Sequence, residues 1–154
     1  MVIKEKHDGP FGDIPELRCS IIKRWGIIKT SREQSVAEHS FNVAIITGKL
    51  CDMLEIDGNA KNGVIAEAIL HDTDEVYTGD IPTPAKLGTS CGCNYIVKLA
   101  DCMEAMIFID RNCADTVQVK GWVLANISKQ IQATCHKHEI NLNHVMEMIR
   151  NSSI

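Results

Sequence analysis

Apolar positions recur at three- and four-residue steps along most of the chain, and no stretch alternates apolar with polar residues between hairpin turns. This pattern predicts helices and no strands. The first dozen residues are polar, hold Gly9, Pro10 and Gly12, and read as an arm or loop. Ile14, Leu17, Ile21 and Ile22 fit a short helix over 14–23, closed by Arg24-Trp25-Gly26, with a polar connection over 27–34. Ser35-Val36-Ala37-Glu38 has the spacing of a capping box, and Phe41, Val43, Ala44, Ile46, Leu50 and Met53 carry the helical period behind it, so a helix is predicted over 36–54. Asp57-Gly58-Asn59 reads as a turn and 62–71 as the next helix. The stretch 78–90, with two Gly and two Pro, is a loop. A helix over 94–111 is apolar on most of its surface, which marks it as central. Val119, Val123, Ile127 and Ile131 fall at four-residue steps within a helix over 115–136, and a last short helix covers 141–150. The expected fold is all-α, a compact helical bundle forming a single domain over 1–154.

The length, 154 residues, suits one domain, and 45% of them are hydrophobic. A chain of this size buries roughly 68–70% of its unfolded surface. Aromatic residues make up 5%, so the core is built from aliphatic side chains, Ala and Met. A net charge of -4 argues against a protein that grips the backbone of duplex nucleic acid, yet leaves room for a small anion held by a few converging cations. No apolar run approaches the ~18 residues of a membrane span. The segment MVIKEKHDGP lacks the apolar stretch of a secretion signal, so a cytoplasmic protein with no membrane partner is expected. The 7 cysteines are odd in number and form no CxxC pair, which reads as free thiols. Cys91 and Cys93 are the one close pair, too few sulfurs for more than a weak soft-metal or redox site.

Four residues stand out chemically: His39, the adjacent His71 and Asp72, and Asp101. Each has an ordinary explanation taken singly. His39 lies one turn into a helix, His71 fits near a helix C-terminus, and Asp72 follows it. Asp101 fits least, because it interrupts Ile96-Val97-Lys98-Leu99-Ala100-Asp101-Cys102-Met103, where an unpaired carboxylate is costly to bury. Together, two His and two carboxylates from three helices make a first shell for one divalent ion. Mixed nitrogen and oxygen ligation suits Mn, Co, Fe, Zn or Ni. Adjacent His and Asp can both ligate if the chain leaves helical geometry there.

Ala37-Glu38-His39-Ser40, Leu70-His71-Asp72 and Leu99-Ala100-Asp101 together resemble the HD-domain superfamily of metal-dependent phosphohydrolases. Adding Arg24-Trp25, His71-Asp72-Thr73-Asp74-Glu75-Val76, Thr78-Gly79-Asp80-Ile81-Pro82-Thr83-Pro84-Ala85-Lys86 and Lys98-Leu99-Ala100-Asp101, the chain is similar to the bacterial 5'-deoxynucleotidase branch. It also resembles the related compact phage deoxynucleotide triphosphohydrolases, including those acting on dATP. The likeness covers about 14–112, and helices over about 115–151 follow it.

The resemblance implies His39, His71, Asp72 and Asp101 as ligands of one divalent transition metal such as Co, Mn or Zn, with an additional Mg for a triphosphate substrate. It implies Glu75 and Asp80 as catalytic residues. Glu75, three residues past Asp72, shares its side if the helix continues, and can orient water or shuttle protons. Asp80 can accept from a sugar hydroxyl or support the leaving oxygen. Arg24, Lys86 and Lys98 are the implied phosphate cations. Lys98 precedes Asp101 by about one turn, Lys86 follows a proline-stiffened stretch, and Arg24 offers a planar fork. Arg32 is weaker, since exposed connections often carry Arg. Trp25, with Ile27 and Pro84, is implied for the base and the 2' face of a deoxyribose.

The implied activity is hydrolysis of a deoxynucleotide at its α-phosphate, giving a deoxynucleoside with phosphate or with triphosphate. The implied partners are that substrate and further copies of the chain, as a dimer or larger; a phage-encoded protein would work in host cytoplasm. Two other readings stand beside it. One is an HD phosphohydrolase of another signalling nucleotide, against which the chain lacks a Gly-Tyr-Pro motif. The other is a non-catalytic HD module that binds a nucleotide. Only 28 residues separate Asp72 from Asp101, fewer than in the bacterial nucleotidases. A helical segment is expected to be missing there, leaving the site more open or closed by a neighbouring subunit. His136, His138 and His144 lie beyond the likeness and read as surface residues.

Overall fold

In a computed structural model, residues 14–79 and 94–152 are described. Asp80, Pro84, Lys86, Cys91 and Cys93 lie outside them. The described residues form a 3-10 helix, Pro15–Ser20, and the helices α1 (Val36–Met53), α2 (Gly58–Leu70), α3 (Glu75–Thr78), α4 (Tyr95–Asn112), α5 (Val117–Lys137) and α6 (Leu142–Asn151). The fold is all-α. Among the described residues the only β-type pairings are two isolated bridges, Lys23 with Ser35 and Thr30 with Cys113. No described helix is long and apolar enough to cross a membrane.

Helix starts follow their capping residues. Ser35 Oγ accepts from the Glu38 backbone N–H at 3.1 Å. Glu38 turns its carboxylate to Arg32 at 2.8 Å, so the observed contact is the forward half of the capping box. Asn94, Thr116 and Asn141 likewise accept from Ile96, Val119 and His144 at the starts of α4, α5 and α6. The second helix begins earlier than its apolar pattern suggests. Gly58 has φ 56 and opens it, so Asn59 and Ala60 are its first turn rather than a separate one.

The buried stripe of α1 is Val36, His39, Ser40, Val43, Ala44, Thr47, Leu50 and Cys51, a three- and four-residue spacing that places His39 on the core face. α4 is buried along most of Ile96–Ile109 and packs against α1, α2, α5 and α6. One cluster of buried side chains joins Val43 and Leu50 of α1, Ala68 of α2, Leu99 and Met103 of α4, Ile131 of α5 and Val145 of α6. Each of the Val, Leu, Ile and Met side chains contributes about 1.5–3 kcal/mol on burial.

Two expectations are corrected. The short helix expected over 14–23 is a 3-10 helix of Pro15–Ser20, and its apolar positions Ile14, Leu17 and Ile21 are 45%, 71% and 73% exposed. Pro15 starts a tight 3-10 turn there, and Cys19 alone is buried. His138 is not a free surface residue. It caps α5 against the first residue of α4, stacked on Tyr95 with ring centroids 4.0 Å apart.

Candidate metal centre

Three elements converge on one point. His39 comes from the first turn of α1, and Asp101 from the middle of α4. α2 ends at Leu70, and the chain turns through 71–74, where His71 keeps helical dihedrals (φ -61, ψ -27) and the Thr73 N–H donates to the Leu70 carbonyl at 3.1 Å in a tighter turn. His39, His71 and Asp72 bring ligand atoms within 4.8 Å of one another. Asp72 Oδ2 lies 3.6 Å from His39 Nε2 and 3.3 Å from His71 Nε2. Asp101 lies outside that mutually close group and touches it through His39, with Oδ1 3.1 Å from Nε2. Neighbouring ligands of an ion bound at about 2.0–2.2 Å stand roughly 3.0–3.5 Å apart, so these separations suit a shared cation.

The donor set fits a metal by a second criterion. His39 Nε2 and His71 Nε2 are buried, and neither has a hydrogen-bond partner among the described residues. An orphaned buried nitrogen is costly unless something occupies its lone pair. His71 is already oriented for that, because its Nδ1 donates to the Ala68 carbonyl at 2.7 Å and leaves Nε2 basic.

The charges are tightly balanced. Burial pushes the Asp101 carboxyl up, but the close contact with His39 and the charges of His39, Arg24 and His71 hold it well below the usual carboxylate range. Burial and Arg24 oppose a proton on His39, yet its close contact with Asp101 and its hydrogen bond to Glu104 outweigh them and raise it. Next to Asp101, burial and the aspartate charge push the Cys102 thiol up to about 12.

Behind His39 lies a group that the sequence did not single out. Glu104 is 1% exposed, and its carboxylate meets His39 Nδ1 at 2.7 Å, Gln34 Nε2 at 2.6 Å, Asn42 Nδ2 at 3.1 Å and Arg24 Nη1 at 3.5 Å. The signal was present, since Glu104 interrupts the apolar run 102–109 much as Asp101 interrupts its own. Gln34 and Asn42 gave none, being ordinary polar residues of a connection and a helix.

The remaining candidates are placed as follows. The helix does not continue past Asp72 to carry Glu75. Glu75 instead opens α3, is 2% exposed, and its backbone N–H donates to the Asp72 carbonyl at 3.1 Å. Arg24 Nη1 lies 2.5 Å from His39 Nδ1, on the side of the ring away from Asp72 and Asp101. Lys98 is exposed on α4, one turn before Asp101. Trp25 stacks on Phe108 and donates Nε1–H to Gln34 Oε1 at 3.0 Å. These contacts hold Trp25 at φ 67, a conformation that costs a non-glycine residue about 1–3 kcal/mol. Ile28 packs against the Phe108 cluster, whereas Ile27 is 77% exposed. His136 and His144 are exposed, and Cys19, Cys51, Cys102, Cys113 and Cys135 are free thiols.

A family model of YfbR-like 5'-deoxynucleotidases matches residues 16–107. A dATP triphosphohydrolase of Salmonella phage PMBT28 is 34% identical over 122 residues, 60% of this chain and 63% of that protein. The 5'-deoxynucleotidase YfbR of Escherichia coli O1:K1 / APEC is 39% identical over 72 residues, 45% of this chain and 36% of that one. The matches thus span less than two thirds of either curated relative. Among solved structures, the cyanophage S-2L HD phosphohydrolase DatZ, bound to dA and one catalytic Zn2+ ion, superposes with a TM-score of 0.70 at 19% identity. That superposition covers 96% of this chain and 100% of the other, and it shows a common fold. With the family model matched over more than half its length, the chain belongs to the YfbR-like 5'-deoxynucleotidase family.

Proposed function

We propose that this protein is a metal-dependent phosphohydrolase that cleaves deoxynucleotides at the α-phosphate. The observation that carries the reading is the convergence of His39, His71 and Asp72, with Asp101 beside them, around two buried imidazole nitrogens that lack hydrogen-bond partners among the described residues. These four side chains would hold one divalent transition ion, with Co, Mn and Zn all suited to the donor set. Such an ion, when bound, supplies Lewis acidity and acidifies water near neutral pH.

The chain's own residues then divide the work. The Glu75 carboxylate takes a proton from the attacking water and returns one to the departing 5'-oxygen as the phosphorus–oxygen bond breaks. Asp80 supports the sugar side. Lys86 and Lys98 offset the phosphate charge, as does Arg24 through guanidinium donors other than the Nη1 turned toward His39. Trp25, Ile27 and Pro84 serve the base and sugar. A monophosphate yields phosphate and a triphosphate yields triphosphate, the latter accompanied by Mg. The longer alignment to the phage dATP triphosphohydrolase, 122 residues against 72, favours the triphosphate and adenine. Phe41, Ile45, Ile69 and Leu70, left 50–65% exposed on α1 and α2, support assembly as a homo-oligomer. A cytoplasmic location, in a host cell if the chain is phage-encoded, suits a nucleotide substrate.

The test is product analysis. Protein loaded with Mn or Co is incubated with each deoxynucleoside mono- and triphosphate and with ribonucleotide controls, and products are separated by chromatography. Deoxyadenosine plus triphosphate is the expected outcome, and phosphate from monophosphates would assign the nucleotidase form. Nucleotide binding without turnover would replace the enzyme with a binding module.

A further inference from the structure

We propose that Glu104 is a positioning residue that decides which nitrogen of His39 faces the metal; this rests on the metal-site reading above and deepens it. Two groups compete for His39 Nδ1. Arg24 Nη1, a donor, lies 2.5 Å away, and Glu104 Oε2, an acceptor, lies 2.7 Å away. A ring nitrogen has either a proton or a lone pair to offer. If Nδ1 accepted from Arg24, the neutral ring would carry its proton on Nε2, pointed at Asp101 and Asp72, and that nitrogen could not ligate. If Nδ1 donates to Glu104, Nε2 keeps its lone pair for a metal. Arg24 then has Glu104 itself as partner, at 3.5 Å.

An acceptor-only group is needed for this choice, and the surroundings enforce it. Glu104 Oε1 receives Gln34 Nε2 and Asn42 Nδ2. Gln34 cannot turn its amide over, because its own Oε1 already accepts from the Trp25 indole N–H. Among the described residues, the groups at Glu104 besides His39, those of Gln34, Asn42 and Arg24, are all donors. A neutral amide at this position would set N–H against N–H, either at Gln34 or at His39. His71 needs no such device, since a backbone carbonyl holds its Nδ1. His39 is thus the ligand whose tautomer depends on a side chain, and the chain Trp25–Gln34–Glu104–His39 ties it to the turn at Trp25.

Glu104→Gln should weaken zinc binding by roughly 10–100-fold, measured by chelator competition, with an unchanged far-ultraviolet spectrum. In nitrogen-15 spectra of the zinc-free variant at alkaline pH, the His39 proton should move from Nδ1 to Nε2 while His71 stays as it is. Reversing the pair, Gln34→Glu with Glu104→Gln, returns an acceptor oxygen to His39 and should recover most of the affinity. Unaltered zinc affinity and tautomer in folded Glu104→Gln would overturn the inference. If that variant does not fold, the zinc-free wild type decides: a neutral His39 protonated on Nε2 overturns it, and one protonated on Nδ1 upholds it. A wild-type protein that takes up no zinc would instead overturn the metal-site reading beneath it.

Discussion

Asp101 Oδ1 stands 3.1 Å from His39 Nε2, joining the middle of α4 to the first turn of α1. The contact is a cation-ready pair held at the edge of a cluster whose other members come from the turn after α2. Asp101→Ala removes the carboxylate contributed by α4 and leaves the two imidazoles with Asp72. Its side chain is 36% exposed, so the fold should persist. Zinc affinity should fall by more than the roughly 10–100-fold typical of an outer-shell change. Equilibrium dialysis of wild type and variant checks this, and stoichiometric metal retained by an active variant would refute the site.

Metal uptake should depend on pH through His39. Its proton is held above the ordinary value of 6.5, despite burial and Arg24, by the close contact with Asp101 and the hydrogen bond to Glu104. A metal needs the ring neutral, so binding must expel that proton. Affinity therefore rises with pH through the raised value, by about tenfold per pH unit while this one group titrates, then levels off. The stability of metal-free protein runs the other way. The His39 contribution is complete below 6.5 and is lost as pH rises through the raised value. Calorimetry at about pH 6 in buffers of differing ionisation enthalpy would count the released proton, and a count of zero there would contradict the assignment.

The four candidate ligands stand out in the sequence because each breaks a local rule. His39 follows a helix cap on what the period marks as a core face, and Asp101 interrupts an apolar run. His71-Asp72 sits where helical spacing gives out. The same reasoning applied three residues beyond Asp101 would have found Glu104. Gln34 and Asn42 were beyond reach, because a polar residue that satisfies a buried carboxylate is spelled like one that faces water. The exposed Ile14, Leu17 and Ile21 show the opposite limit. Periodicity reports that a stripe exists and not whether anything covers it. The short helix at Glu75 escaped for a related reason, since four residues are too few to display a period.

Glu75 should separate binding from turnover. It is buried, opens α3, and is tied by its backbone to Asp72 rather than placed among the ligand atoms. Glu75→Gln keeps the volume and removes the proton acceptor. Metal content should stay at the wild-type level while kcat drops by roughly a hundred- to ten-thousand-fold. Loss of bound metal in this variant would move Glu75 into the ligand set.

Ile131 tests whether the C-terminal helices belong to the same cooperative unit as the metal centre. It is 0% exposed on α5 and shares one buried cluster with Val43 of α1, Leu99 of α4 and Val145 of α6. Leu99 lies two residues before Asp101, so the packing that seats Ile131 also seats a ligand-bearing turn. Ile131→Ala should lower the unfolding free energy by about 2–5 kcal/mol, the spread depending on how far the neighbours collapse into the space. Trp25 reports from beside the site and Trp122 from α5, so fluorescence and circular dichroism sample both regions. Their urea transitions should coincide in wild type and shift together in the variant. Two separated transitions, with Ile131→Ala moving only one, would divide the chain into independent units and detach α5 and α6 from the support of the site.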